Sequence, residues 1–287
     1  MKRTTLVIEP RGGLGNRFLS LSSAYNIAKA CDIANVIVLW NNINECGCNW
    51  NAVFSKLPDG FRVVNLKFIN DSYKAMLKKG RMDKIACKFL QRTVYKIFKT
   101  ITTRMHLEAN GIFDEDRQEV LKKQLIERKG KTTFIESYSK FYGEVDLSEF
   151  VFNLGILAKV EAFLKRTGQY DAMHIRRTDN ATAIQNSPTE LFVEKANDII
   201  EKNSKAKIYI ATDDVDVLNI FKEKFPNNVI SELNGNLSRR TSDGIQFALY
   251  EMLILAGAKT LYASYFSTFS SLANCIGKNE IIVVKKD

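Results

Sequence analysis

Short runs of β-branched and apolar residues alternate along the whole chain with longer segments of helical periodicity, a pattern typical of α/β folds. In the first half, strand candidates lie at 4–9, 35–40, 61–68 and 132–137, and helix candidates at 16–30 and 114–129. A helix candidate at 154–166 opens the second half. There the strand candidates are 170–176, 207–212, 228–231, 260–264 and 280–284, with helix candidates at 188–203, 214–224, 243–257 and 269–276. We therefore predict two open α/β sheets, in domains spanning residues 1–155 and 156–287.

The overall composition excludes several classes of protein. With 45% hydrophobic and 26% charged residues in 287 positions, the chain has the make-up of a folded protein and not of a disordered one. It contains no apolar run of about 18 residues, which a membrane-spanning helix requires. The apolar run near the N-terminus is too short for the core of a signal peptide. These observations predict a cytoplasmic protein.

The five cysteines, at positions 31, 46, 48, 87 and 275, do not have the paired spacing of a disulfide scaffold or of a zinc site. We expect free thiols in a reducing compartment. The segment Cys46-Gly47-Cys48 has no second pair nearby, and we predict no metal there.

The net charge of +10 is concentrated in one segment. Residues 74–104 contain ten basic residues and a single acid, Asp83. Because the rest of the chain is close to neutral, we predict no nucleic-acid partner. As a helix, this segment would have a cationic stripe and an apolar stripe. We expect its apolar stripe to pack on the first domain's sheet. The alternative is that the stripe lies on an anionic membrane, which would place the protein peripherally at the inner membrane face.

A glycine-rich turn, Gly12-Gly13-Leu14-Gly15-Asn16-Arg17, follows the first strand candidate and opens the first helix candidate. Glycines let the backbone approach a ligand closely, and a helix N-terminus attracts anions. The spacing matches neither a dinucleotide fingerprint nor a P-loop. A tight turn between strand and helix explains the same residues.

The segment His174-Ile175-Arg176-Arg177-Thr178-Asp179 ends the first strand candidate of the second half. Side chains alternate along a strand, so His174 and Arg176 share one face and Arg177 lies on the other. A guanidinium at a strand's carboxyl end binds phosphate oxygens through two parallel hydrogen bonds. We predict an anion site here. The alternative is a surface arginine–aspartate pair that covers the strand end.

Two further polar segments follow strand candidates. Asp213 and Asp214 are placed either to bind a divalent metal, to cap the next helix or to pair with an arginine. We prefer the cap. The hydroxyl-rich segment 264–271 precedes the last helix candidate, where it serves as an N-cap and as a phosphate cradle. Together these strand ends suit a pyrophosphate.

The motifs GGLGNR, HIRRTDN, YIATDD and STFSSLA resemble, in order and spacing, those of the fucosyltransferase superfamily, which includes α-1,2, α-1,6 and protein-O-fucosyl transferases. The likeness is closest to the α-1,6 branch over about residues 165–277, whereas only the glycine turn matches in the first half. It implies an α/β, GT-B-like chain in which two Rossmann-type domains face a cleft. The first domain would hold the acceptor and the second a nucleotide sugar.

The resemblance further implies an inverting, metal-independent enzyme without cofactor that transfers fucose from GDP-fucose. Arg176 would hold the β-phosphate as a catalytic residue, and Glu251 would stand where the family has an aspartate that reads guanine. The substrate-binding residues implied by motif and resemblance together are Gly13, Gly15, Asn16, Arg17, His174, Arg177, Asp213, Asp214, Glu251, Ser267, Thr268, Phe269 and Ser270.

One departure from the family pattern concerns the general base. Where the α-1,6 enzymes have a lysine and a glutamate proposed for catalysis, this chain has Asn180 and Ile184. Asp179 is our candidate base, and an acid of the first domain is the alternative. The departure also leaves open a nucleotide-sugar-binding module without transferase activity. A transferase that uses another GDP-sugar is a further alternative, and the acceptor would be a glycan or a lipid-linked glycan.

Overall fold

The computed structural model of the chain describes residues 4–41, 45–65, 106–108, 114–178, 181–232 and 237–286. Asp179, the candidate base, and the basic segment 74–104 lie outside these residues. The chain divides into two compact units. The first comprises Met1–Asn153 and Arg239–Ile245, and the second comprises Leu154–Ser238 and Gln246–Asp287. The division lies close to the boundary expected at residue 155, but the sequence did not indicate that 239–245 belong to the first unit.

The first unit has a parallel sheet at its centre. The strands among the described residues of this unit are β1 (Thr5–Pro10), β2 (Val36–Trp40), β3 (Phe54–Lys56), β4 (Phe61–Asn65), β5 (His106–Glu108), β6 (Thr132–Ser137) and β7 (Val151–Phe152). The α-helices that lie entirely within the described residues of the first unit are α1 (Leu14–Ala30) and α2 (Glu115–Glu127). Five of the described strands form the sheet in the order β4-β2-β1-β6-β5, and β3 pairs with β7 in a separate antiparallel ladder.

Strand β1 lies at the centre of that sheet, between β2 and β6. Its side chains from Leu6 to Pro10 are buried, as expected for a parallel strand that is covered on both faces. Three aromatic rings pack together in this unit. The ring of Phe18 in α1 lies 5.3 Å from that of Phe54 in β3 and 5.6 Å from that of Phe152 in β7. The short β3 and β7 strands therefore supply core residues rather than sheet width.

The second unit repeats this architecture. Its strands are β8 (Asp171–Ile175), β9 (Ile208–Thr212), β10 (Val229–Ile230), β11 (Thr260–Ser264) and β12 (Glu280–Val284). The helices that follow α2 along the chain are α3 (Leu154–Thr167), α4 (Ala181–Asn186), α5 (Thr189–Lys202), α6 (Val215–Lys224), α7 (Ser242–Ala256) and α8 (Thr268–Gly277). The described strands are all parallel, in the order β10-β9-β8-β11-β12.

The periodicity of α5 shows how sequence produces this packing. Phe192, Ala196 and Ile199 are buried and follow one another at intervals of four and three, which places them on one helix face. They join a core cluster that includes Met173 of β8 and Ile210 of β9. The same rule predicts most of the helices and strands to within one or two residues. It missed the short elements β3, β5, β7 and α4, because two to six residues are too few to establish a period. Among the described helices, none combines the length and the apolar character needed to span a membrane.

Candidate active site

Each sheet has a point at which the order of its strands reverses direction, and in open α/β sheets ligands bind beyond the carboxyl ends of the strands at that point. In the second unit the reversal lies between β8 and β11. His174 of β8 pairs in register with Ala263 of β11 and with Ala211 of β9. The residues that follow these three strands therefore share one edge of the sheet, and they include most of the residues predicted from the sequence.

Arg176 is the first residue beyond β8. Its backbone N–H donates to the hydroxyl of Ser264 at 3.0 Å, and that hydroxyl donates to the carbonyl of His174 at 3.1 Å. The side chain of Arg176 is 19% exposed, and its Nε lies 3.9 Å from Oδ2 of Asp213. The arginine–aspartate pair that we gave as the alternative interpretation is thus present, with a long distance between the two charged groups. The binding of a phosphate by Arg176 stays a prediction.

Arg177 has a different environment from its neighbour. Its Nε donates to Oγ1 of Thr189 at 3.0 Å, its Nη1 to the carbonyl of Arg176 at 2.7 Å, and its Nη2 to the carbonyl of Ser187 at 2.6 Å. These bonds direct the guanidinium toward protein oxygens. We therefore assign Arg177 a role in holding the loop after β8, and the ligand contact expected from the sequence stays a prediction.

The paired acids after β9 have separate roles. Asp213 accepts hydrogen bonds from the backbone N–H of Arg177 at 2.6 Å and from the hydroxyl of Thr178 at 2.7 Å, so it shapes the loop that carries Arg176. Asp214 is the N-cap of α6 and accepts from the N–H of Asp216 at 2.9 Å. Both non-metal interpretations of the pair, the cap and the arginine partner, describe these contacts. Among the described residues, no group of three or more potential ligand side chains surrounds a metal position.

His174 is buried beside the N-terminus of α8. Its Nδ1 lies 2.7 Å from the hydroxyl of Ser270 and 3.3 Å from that of Ser267. Burial lowers the pKa of His174 to about 4; the positive charge of Arg176 acts in the same direction, and Asp213 opposes it. The imidazole is therefore neutral at physiological pH. A neutral ring offers one donor and one acceptor without adding charge.

Ser267 is the N-cap of α8 and accepts a hydrogen bond from the N–H of Ser270 at 3.3 Å. Thr268 is exposed in the first turn of this helix. The ring of Phe269 packs on that of His174, with 5.0 Å between the ring centres. The helix N-terminus thus brings a partial positive charge and hydroxyl groups to the same edge as Arg176.

Glu251 lies on α7 and is buried with Tyr209 of β9, whose hydroxyl donates to Oε1 of Glu251 at 3.3 Å. Burial raises the pKa of Glu251 to about 8; the hydrogen bond from Tyr209 lowers it, and the charge of Asp213 raises it further. The carboxyl is thus largely protonated at neutral pH. A protonated carboxyl has an O–H donor, whereas guanine N1–H and N2–H require an acceptor, so the reading of guanine by Glu251 stays a prediction.

The glycine turn occupies the equivalent edge of the first unit, after β1. Gly12 has a positive φ of 77°, and Gly13 is the N-cap of α1. A Cβ atom on Gly12 would lie 2.7 Å from the side-chain nitrogen of Asn16, so a side chain there meets both strain and a clash. The position that needs glycine is therefore Gly12, which the predicted set of Gly13, Gly15 and Asn16 omits.

Arg17 lies inside the first unit and bonds to backbone carbonyls. It is 1% exposed, and its guanidinium carbon lies 4.5 Å from the ring centre of Trp40. Its Nε donates to the carbonyl of Gly12 at 3.0 Å and its Nη2 to the carbonyl of Asn41 at 2.7 Å. The side chain therefore fastens the glycine turn to the end of β2. These contacts give Arg17 a structural role, and its contact with a ligand stays a prediction.

Sequence reasoning missed a charged group at the same edge. Glu9 of β1 and Glu136 of β6 are paired in register and buried. Arg11 reaches both: its Nη1 lies 2.6 Å from Glu136, and its Nε lies 3.4 Å from Glu9. The only signal in the sequence is an acid at the end of each of two strand candidates, and it becomes informative once the two strands are known to be neighbours.

Comparison with known proteins gives a fold but no close relative. No family model and no curated protein matches the chain. Among solved structures, the fucosyltransferase NodZ from Bradyrhizobium is similar with a TM-score of 0.58 at 16% identity, over 96% of this chain and 94% of that one. A variant of Arabidopsis thaliana FUT1 in complex with GDP is similar with a TM-score of 0.56 at 15% identity, over 97% of this chain and 69% of that one. POFUT1 in complex with GDP-fucose is similar with a TM-score of 0.55 at 12% identity, over 96% of both chains.

The chain shares its fold with these fucosyltransferases. This likeness covers both units and confirms the prediction of an α/β, GT-B-like architecture with Rossmann-type domains. Arg176 follows β8, and Asp213 follows β9. Both strands lie inside the second sheet, with another parallel strand on each side. The fucosyltransferase fold therefore presents the loops after β8, β9 and β11 at one edge.

Proposed function

We propose that the protein is a glycosyltransferase that moves fucose from GDP-fucose to a hydroxyl group of a glycan. The observation that carries this proposal is the edge of the second sheet, where the partly exposed Arg176 and the N-terminus of α8 lie beyond adjacent strands. A guanidinium and a helix N-terminus together suit a diphosphate, which carries two or more negative charges.

The structural neighbours support the choice of nucleotide sugar. NodZ was co-crystallised with GDP and soaked with GDP-fucose, and POFUT1 was solved with GDP and with GDP-fucose. The described residues of the motifs HIRRTDN, YIATDD and STFSSLA, on which the resemblance to fucosyltransferases rests together with the glycine turn, lie at the edge described above. The sequence motifs and the fold therefore favour the same class of donor.

In the proposed reaction, an acceptor hydroxyl attacks the anomeric carbon of fucose as the bond to the β-phosphate oxygen breaks. Negative charge develops on the leaving GDP, and Arg176 and the α8 N-terminus stabilise it electrostatically. A preorganised donor of this kind contributes about 10²–10³ in rate. The hydroxyl proton passes to a carboxylate, because an alcohol is too weak an acid to react at this rate unaided.

The general base is an acid of this chain in the same proposal. Asp179 stands two residues after Arg177 in the sequence and remains our candidate. The alternative acids of the first unit are Glu9 and Glu136, at the carboxyl ends of β1 and β6. Substitution of each acid by its amide distinguishes the candidates: the base is the residue whose loss lowers kcat without weakening the binding of GDP.

The central test of the proposal is the variant Arg176→Ala. We expect kcat/KM to fall by about 10²–10³ and GDP to bind more weakly, because the variant lacks the cation that faces the diphosphate. Arg176→Lys recovers little, since an ammonium cannot make two parallel hydrogen bonds. GDP release from GDP-fucose and calorimetric titration with GDP measure the two effects. An unchanged GDP affinity in Arg176→Ala would overturn the assignment.

We also propose that the transfer needs no divalent metal. Asp213 and Asp214 are used within the protein, as partner of the loop after β8 and as cap of α6. Turnover of GDP-fucose is therefore expected to persist in EDTA. Loss of turnover in EDTA, with recovery on addition of Mg²⁺ or Mn²⁺, would restore the paired aspartates as candidate ligands.

A second candidate function is a nucleotide-sugar-binding module without transferase activity. The observation that favours it is the presence of Asn180 and Ile184 in place of the lysine and glutamate of the α-1,6 enzymes. Both candidates bind GDP, so binding does not separate them. GDP release from GDP-fucose that depends on an added glycan or lipid-linked glycan acceptor supports the transferase. Release from a panel of other GDP-sugars would identify a different donor.

A further inference from the structure

The segment Cys46-Gly47-Cys48 of the first unit holds two thiols side by side in the interior. Cys46 is 0% exposed and Cys48 is 1% exposed, and their sulfur atoms lie 3.8 Å apart in hydrogen-bond contact. Both cysteines are free. Neither takes part in the function proposed above, so the reason for burying two adjacent thiols must be found in their surroundings.

The backbone at Gly47 holds this arrangement in place. Its N–H donates to the carbonyl of Arg239 at 2.8 Å. A Cβ atom at Gly47 would lie 2.2 Å from the backbone of Arg240, which excludes every other residue without a shift of the chain. The N–H of Cys48 also donates to the carbonyl of Cys46 at 2.9 Å, closing a tight turn. The two thiols are thus fixed toward each other by a turn that only glycine permits.

A buried cation lies near the pair: the guanidinium of Arg17 lies 4.5 Å from the ring centre of Trp40, whose indole N–H donates to the carbonyl of Cys48. Arg17 donates to the carbonyls of Gly12 and Asn41, but its Nη1 is buried and has no hydrogen-bond partner among the described residues. The pKa of Cys46 is lowered, first by the hydrogen bond from the Cys48 thiol and further by the charge of Arg17, against the effect of burial. The pKa of Cys48 is raised, chiefly by the same hydrogen bond to Cys46. Arg17 thus offers a thiolate the positive charge that stabilises reactive cysteines in proteins.

We propose that Cys46 and Cys48 are a redox site at which hydrogen peroxide oxidises the two thiols to an intramolecular disulfide. The Cys46 thiolate attacks one peroxide oxygen, the O–O bond breaks, and hydroxide leaves to give a sulfenic acid. Cys48 transfers its proton to that hydroxide, forming water, and its sulfur attacks the sulfur of Cys46. The S–S bond forms, the S–O bond breaks, and the second hydroxide takes up a proton. The dithiol loses two electrons and two protons, and peroxide becomes two waters.

The geometry selects both the product and the oxidant. The sulfurs must approach from 3.8 Å to a bonding distance of about 2.05 Å, a movement within the range of side-chain rotation and a small adjustment of the turn. Because both residues are buried, the proposal requires a small neutral oxidant and excludes a bulky thiol reagent. Oxidation also removes the thiol that ionises most readily beside Arg17, whose bonds fasten the glycine turn.

The site contains its own spectroscopic reporter. The indole N–H of Trp40 donates to the carbonyl of Cys48 at 2.8 Å, and the Trp40 ring lies against Arg17. Closure of the disulfide changes the turn that carries this carbonyl. We expect a change in tryptophan fluorescence on oxidation that dithiothreitol reverses.

The experiment uses the full chain with Cys31→Ser, Cys87→Ser and Cys275→Ser, so that only the pair remains. After treatment with hydrogen peroxide and removal of the excess by catalase, the protein is denatured and alkylated. The expected result is a monomer that has lost two hydrogen atoms, takes up no alkyl group, and regains two alkylation sites after reduction. The matched control adds Cys48→Ser; it cannot form the bond, so its mass should show no loss of two hydrogen atoms.

Three results would overturn the proposal. The first is two alkylatable thiols in the triple variant after a peroxide treatment strong enough to oxidise the exposed Cys275 of the native sequence. The others are a gain of oxygen atoms in place of the loss of hydrogen atoms, and a disulfide between two chains. If the triple variant does not fold, the unmodified protein is oxidised and its disulfides are located by peptide mapping. A bond that joins Cys46 to Cys48 then supports the proposal, and a bond to any other cysteine contradicts it.

Discussion

The glycine turn of the first unit and the arginine loop of the second unit stand at equivalent places, each beyond the first central strand of a parallel sheet. Their arginines nevertheless have opposite environments. Arg17 is 1% exposed and bonds to the carbonyls of Gly12 and Asn41. The side chain of Arg176 is 19% exposed, and its Nε lies 3.9 Å from a carboxylate oxygen of Asp213. The comparison teaches that two arginines at equivalent motif positions can differ in burial and in partners, so the motif alone does not assign their roles.

The difference arises from neighbours that are distant in sequence. Trp40, at the end of β2, covers Arg17. Beyond β8, Arg177 takes the bonds to backbone carbonyls, and Asp213 shapes the loop. Of the two adjacent arginines of this loop, one therefore builds the edge and the other is presented by it.

The largest expected effect on stability separates the two regions directly. Arg17→Met leaves the buried carbonyls of Gly12 and Asn41 without their donors, so we expect the free energy of unfolding to fall by about 2–4 kcal/mol. The matched change Arg176→Met removes one partly exposed ion pair and should cost less than about 1 kcal/mol. Urea denaturation measures both.

Titration with GDP completes this pair of variants. Arg17→Met is expected to keep the affinity for GDP, and Arg176→Met to lose it. The comparison fails if Arg17→Met abolishes GDP binding while its stability is unchanged, because Arg17 would then be the ligand residue that the sequence suggested.

Glu251 provides a second test, based on pH. Its pKa of about 8 lies above the value of about 4.3 for an unfolded glutamate, so the native state binds the extra proton between these values. Its contribution to stability is therefore complete below about pH 4 and is lost as the pH rises through 8. Relative to the native sequence, Glu251→Gln should become more stable as pH rises from 5 to 8, by up to roughly 1.4 kcal/mol per pH unit.

Unfolding by urea at several pH values measures this difference. The control is Glu201→Gln, on the exposed side of α5, which should show no such trend. A difference between Glu251→Gln and the native protein that stays constant from pH 5 to 8 would show that Glu251 is ionised in the folded state, as an acceptor for guanine would be.

The smallest expected effects come from two helix caps. Asp214→Ala and Ser267→Ala each remove the N-cap of a helix, of α6 and α8 respectively, and each should cost about 1 kcal/mol of stability. Only Ser267 also lies within 3.3 Å of His174. We therefore expect Ser267→Ala to weaken GDP binding and Asp214→Ala to leave it unchanged. Equal GDP affinities in the two variants would show that the α8 N-terminus is not part of the site.

Much of the second unit could be predicted because its elements are long enough to show a period. The five strands were located from apolar runs, and the buried face of α5 follows from Phe192, Ala196 and Ile199. The polar residues at the strand ends then indicated the candidate site, since parallel strands place their carboxyl ends at one edge. The short strands β3 and β7 escaped this reasoning, because two or three residues carry no period and their pairing depends on the packing of Phe54 and Phe152.

By itself, the sequence determined the α/β class, the order of the elements and the edge at which His174, Arg176 and Asp213 meet, because periodicity and chain direction are local properties. Only the tertiary structure decided which polar side chains the core uses. It placed Arg17 against Trp40, enclosed Glu251 with Tyr209, and brought the thiols of Cys46 and Cys48 beside a buried cation. The physical reason is that burial and charge depend on neighbours supplied by other elements, and the distance along the chain does not reveal them.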